Sequence, residues 1–75
     1  MKTYIANSEN YNVLEMTRNF LSDRFYKKDV NNFKWGGNWN GMNWENFSFK
    51  CKPETLVRIK EYCLENDFNV TFSEK

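Results

Sequence analysis

The sequence contains no histidine. That removes the commonest general base and the commonest metal ligand. It has two cysteines, Cys51 and Cys63, too few for a disulfide framework and without CxxC spacing. With no histidine to complete a donor set, a cysteine-based zinc site is not expected. Both thiols fall at apolar-looking positions and read as reduced core residues. There is a single proline, Pro53, and the three glycines all lie between Gly36 and Gly41. No apolar run approaches the roughly 20 residues that span a bilayer. Residues 1–8 lack the apolar stretch of a secretory signal. Charge of either sign is also missing in excess: 11 basic against 10 acidic residues leave a net +1. Such a balance makes no strong field for a phosphate backbone and is no imitation of one. The expectation is a soluble, cytoplasmic protein.

Catalytic constellations are equally scarce. Ser8, Ser22, Ser48 and Ser73 have no nucleophile-elbow setting. "GGNWNG" (36–41) lacks both the P-loop lysine and a dinucleotide fingerprint. The carboxylates are scattered and read as helix surface and caps, with Glu54 suited to a first helical turn. No enzyme activity, cofactor or metal site is expected.

What the chain has in quantity is aromatic and asparagine side chains, 14 and 12 of 75 residues. A chain this short is one domain, residues 1–75, whose core needs help. Aromatics supply it, each burying roughly 150–250 Å². The richness in Lys, Asn, Phe and Tyr corresponds to AT-rich codons, as in a phage or other mobile element.

Periodicity orders the elements. Lys2–Ala6 reads as a short strand. Ser8 or Asn10 is placed to cap a helix over 13–25, with Val13, Leu14, Met16, Phe20, Leu21 and Phe25 forming its apolar side. Glu15, Arg18, Asn19, Ser22 and Asp23 fall mostly on the other side. A strand begins at "FKW" (33–35), and "NFSFKC" (46–51) alternates strictly, Phe47, Phe49 and Cys51 against Ser48 and Lys50. Pro53 opens a second helix over 53–66, in which Leu56, Val57, Ile59, Lys60, Cys63 and Leu64 keep a helical rhythm. "FNVTF" (68–72) closes the series with Phe68, Val70 and Phe72 inward. The order β-α-β-β-α-β predicts an α+β, ferredoxin-like fold: a four-stranded antiparallel sheet with two helices on one face. The opposite face is expected to be polar, with Lys34, Ser48, Lys50, Asn69 and Thr71.

"WGGNWNGMNW" (35–44) places three tryptophans in a turn-like stretch. A plain two-residue turn at Asn40–Gly41 sets Trp35 opposite Asn46, mixing apolar and polar residues on one face. One extra residue, at a loop or a bulge near Gly36, Gly37 or Gly41, pairs Trp35 with Phe47 and Phe33 with Phe49. Trp35 is therefore expected in the core. Trp39 and Trp44 lie beyond Gly37 and, with Met42, form a candidate partner-binding patch rimmed by Asn38, Asn40 and Asn43.

"TYIANS" (3–8) resembles the first-strand motif of the RNA-recognition-motif family, and "NFSFKC" is similar to its third-strand motif. The resemblance implies single-stranded nucleic acid stacked on Tyr4, Phe47 and Phe49, with Lys34 and Lys50 in electrostatic support. The strand alternation points the other way, since exposing Phe47 and Phe49 turns Lys50 into the core. The preferred expectation is a non-catalytic interaction module. A short, aromatic-rich chain without catalytic residues resembles, as a class, small phage-type counter-defence or host-takeover inhibitors. That likeness implies a host protein as partner, blocked sterically. A homodimer through the same patch or an edge strand is the other protein partner considered.

Overall fold

A computed structural model describes residues 1–25, 28–37 and 45–75. The elements are β1 (Lys2–Asn7), α1 (Tyr11–Arg24), β2 (Val30–Gly36), β3 (Asn46–Cys51), α2 (Pro53–Glu65) and β4 (Thr71–Glu74). The strands form one antiparallel sheet in the order β2-β3-β1-β4. This is the ferredoxin-like α+β arrangement expected from the element order.

Helix α1 starts at Tyr11 because Asn10 caps it. The Asn10 Oδ1 accepts from the Asn12 and Val13 amides at 2.9 and 3.4 Å. Ser8 acts one step earlier, its Oγ accepting from the Asn10 amide. Helix α2 opens on Pro53, after an extended Lys52, and carries Glu54 in its first turn. Its end is a Schellman motif: the Phe68 amide donates to the Cys63 carbonyl and the Asp67 amide to that of Leu64. Asp67 takes the left-handed conformation (φ 57°) where glycine is usual. The motif holds Phe68 against the helix, with its ring 6.3 Å from Tyr62. For that reason the last strand begins at Thr71 rather than Phe68. Val70 and Phe72 still pack against the core together with Phe68, whereas Asn69, expected on the open sheet face, precedes the strand.

One cluster joins the helices to the sheet. Leu14 and Leu21 of α1 and Leu56, Ile59 and Cys63 of α2 cover Tyr4, Ala6, Phe47, Phe49 and Cys51. Three apolar helix residues stand out in solvent instead: Met16, Val57 and Leu64 are 52, 56 and 80% exposed. At 100° per residue Met16 stands well away from Leu14 and Leu21, and Thr17 takes the buried position instead. The Thr17 hydroxyl donates to the Val13 carbonyl at 2.8 Å.

The β2–β3 register pairs Lys34 with Ser48, Trp35 with Phe47 and Gly36 with Asn46. Nearer the start of β2 the pairing shifts, so that Asn31 faces Lys50 and Val30 faces Cys51. This irregularity falls at Asn32, with φ 58°, and is separate from the extra residue nearer the glycines that the Trp35–Phe47 pairing requires. Asparagine tolerates this conformation better than most residues. The bulge matters for packing. It lets even-numbered Val30 and odd-numbered Phe33 and Trp35 turn to the same side of the sheet. Phe33 therefore has no single partner; its ring lies 6.2 Å from Phe47 and 6.3 Å from Phe49. Gly37 has φ +80°, and an added Cβ there comes within 2.8 Å of the Glu45 Cβ.

Candidate functional site at the edge between helix 1 and strand 2

The sheet's two faces differ completely. The uncovered face carries Asn31 and Lys34 from β2, Asn46, Ser48 and Lys50 from β3, Thr3, Ile5 and Asn7 from β1, and Thr71 and Ser73 from β4. None of these is aromatic. Tyr4, Phe47 and Phe49 lie on the covered face, at 5, 0 and 0% exposure. The stacking platform implied by the RNA-recognition-motif resemblance is thus corrected: Tyr4 does not share a face with Lys34 and Lys50. The cause is the alternation of β3, which buries Phe47 and Phe49 and thereby sends Ser48 and Lys50 outward. Tyr4 follows because it is the cross-strand partner of Phe49, with the rings 6.2 Å apart. Burial pushes its phenol above the ordinary value, and the thiol of Cys51 adds to the effect.

Half-buried aromatics gather elsewhere, along the seam between α1 and the edge strand β2. Trp35 is joined to Phe47 edge-to-face (5.6 Å, 74°) and to Tyr11 of α1 in a tilted pair at 5.4 Å. Phe33 lies one step along the same strand face. Arg18 of α1 spans both, its guanidinium carbon 5.4 Å from the Phe33 ring centre and 5.8 Å from that of Trp35. Burial raises the Tyr11 pKa and the neighbouring Glu15 carboxylate adds to the effect, while Arg18 pulls it back.

The sequence expectation for Trp35 holds in part: it packs against the core but stays only half-buried. Arg18 was expected on the solvent side and instead lies over two rings. The spacing of Tyr11, Arg18 and Ser22 on one helical stripe was its available signal. The stripe turns toward β2 only through tertiary packing, and long amphipathic side chains sit at such boundaries. The candidate anchors Trp39, Met42 and Trp44, and the rim residues Asn38, Asn40 and Asn43, lie outside the described residues. Gly36 and Gly37 lead from the β2 end of this seam directly into them.

Other chemistry is limited by the same packing. Burial pushes the thiols of Cys51 and Cys63 up to about 11, so both are protonated near neutral pH and are poor nucleophiles. Among the described residues no group of three or more His, Cys, Asp or Glu is placed to hold a metal ion. Among them, too, no helix is long and apolar enough to cross a membrane. No family model, curated protein or solved structure matches this chain.

Proposed function

We propose that this chain is a non-catalytic protein-binding module. It docks through the α1–β2 seam and the adjoining 38–44 segment, and acts by covering its partner's working surface. The observation that supports this reading best is the distribution of aromatics. Those that a nucleic-acid platform needs, Tyr4, Phe47 and Phe49, are under the helices. Among those left half-buried, Tyr11, Phe33 and Trp35 line one edge that runs into a segment carrying Trp39, Met42 and Trp44, while Phe20, Tyr62, Phe68 and Phe72 lie on the helices and towards the C-terminal strand. Half-desolvated Trp and Tyr beside an Arg is the composition of an interface hot spot. Trp39, Met42 and Trp44 serve as anchors in this reading, with Asn38, Asn40 and Asn43 bonding at the rim. The setting is the cytoplasm of a host cell, and the role is that of a small phage- or mobile-element-type inhibitor.

Affinity capture tests it. The wild-type chain retains a partner protein from a host lysate, and the Trp39→Ala/Trp44→Ala double variant, shown folded by circular dichroism, does not. Retention by both removes the anchors from the account.

A further inference from the structure

An open hollow of about 370 Å³ lies beside the bulge of β2, lined by Arg18, Ser22, Asn32 and Phe33. Its charge is of one sign, that of Arg18. Arg18, Ser22 and Asn32 all offer N–H or O–H donors, and no lining residue is acidic. The Arg18 guanidinium carbon lies over the Phe33 and Trp35 rings. Its Nε is shielded from solvent and has no hydrogen-bond acceptor among the described residues. Nor does Arg18 form an ion pair among them, where Lys2–Glu74 is the pair present. Glu15, three positions away on α1, makes no ion pair with Arg18 among the described residues. The forked guanidinium carries no paired anion among the described residues, and a carboxylate matches its planar geometry better than any neutral acceptor.

The position is as informative as the chemistry. β2 ends the sheet order, so its outer edge pairs with no other described strand. An edge of this kind accepts an extended segment by main-chain hydrogen bonding. The extra residue at Asn32 interrupts the ladder beside the hollow. One cation in a chain of net charge +1 suits one carboxylate rather than a run of phosphates.

We propose that this hollow binds an aspartate or glutamate side chain, presented by an extended segment of the partner protein lying along the edge of β2. The inference rests on the docking reading above and adds the partner's chemistry. An acidic side chain seated there accepts from the Arg18 guanidinium, with Ser22 and Asn32 as further donors.

The test is a nitrogen-15 NMR titration of the full chain with the peptide acetyl-Val-Thr-Glu-Val-Thr-amide and with its glutamine counterpart. The glutamyl peptide should shift the Arg18 Nε–H signal and the amides of 31–34 saturably. The glutamine peptide should bind about tenfold more weakly, as expected for loss of one charge-assisted hydrogen bond. Arg18→Gln should abolish the preference, and Arg18→Lys should restore part of it. No saturable shift in the wild-type chain, or equal shifts with both peptides, overturns the proposal without needing a variant to fold. Displacement of the peptide by equimolar inorganic phosphate also overturns it, since the hollow then selects phosphate. The Trp39→Ala/Trp44→Ala variant should keep the peptide response. Loss of lysate capture with an intact peptide response supports both readings. Unchanged capture by that variant, beside an intact response, removes the tryptophan anchors and leaves the hollow.

Discussion

Trp35 stands directly opposite Phe47 across the β2–β3 ladder, with the two rings edge-to-face at 5.6 Å. This pairing separates the covered face from the open one. It places Phe47 under the helices, turns Ser48 and Lys34 outward, and leaves Trp35 at the border where α1 meets the sheet edge. The seam proposed as a docking surface exists because this register, and not the one shifted by a residue, is adopted.

The first prediction concerns that border. Trp35→Ala removes the contacts to Phe47, Tyr11 and Arg18 together. For a half-buried indole the expected loss is about 2–3 kcal/mol, below the range for fully buried rings. The midpoint of urea unfolding should fall accordingly with little change in slope. An unchanged midpoint means that the ring contributes nothing to the fold.

A second prediction runs in the stabilising direction. Asp67 holds a left-handed conformation at the end of α2, where a side chain is unfavourable. Asp67→Gly should raise stability by about 0.5–1 kcal/mol, and the melting temperature of a chain this size by about 2–8 °C. Calorimetry reads this directly, and a lowered melting temperature contradicts the Schellman assignment.

The thiols give a pH dependence. Folding raises Cys51 and Cys63 from the ordinary 9.0 to about 11 through burial. The folded chain therefore holds more protons than the unfolded one between pH 9 and about 11. Stability from this source is complete below pH 9 and falls as pH rises to about 11. Cys51→Ala/Cys63→Ala should flatten the alkaline fall measured by denaturant titration. At pH 8 the native thiols should react with an aromatic disulfide reagent far more slowly than the unfolded chain does.

Much of the fold was legible in the sequence because it is written in local chemistry. The strict alternation of 46–51 located β3 to the residue, and Pro53 located the start of α2. The mismatch of faces under a plain turn was enough to choose the Trp35–Phe47 register. What escaped has no local mark. The bulge sits at an asparagine among asparagines, Asn31 and Asn32, while the glycines drew attention further along. Met16, Val57 and Leu64 carry apolar side chains at positions where the helices have no neighbour to cover them. The site was half legible. Trp35 and the tryptophans beyond it stood out by composition, whereas Arg18 acquires its place only when α1 crosses β2.

The account's central claim is that binding uses the α1–β2 seam and the 38–44 segment, not the open sheet face. Quantitative capture from a host lysate, comparing wild type with Trp39→Ala/Trp44→Ala and with Lys34→Ser/Lys50→Ser, tests it most directly. The account predicts that the tryptophan variant loses the captured protein and the lysine variant keeps it. Capture that survives the tryptophan changes and vanishes with the two lysines contradicts it.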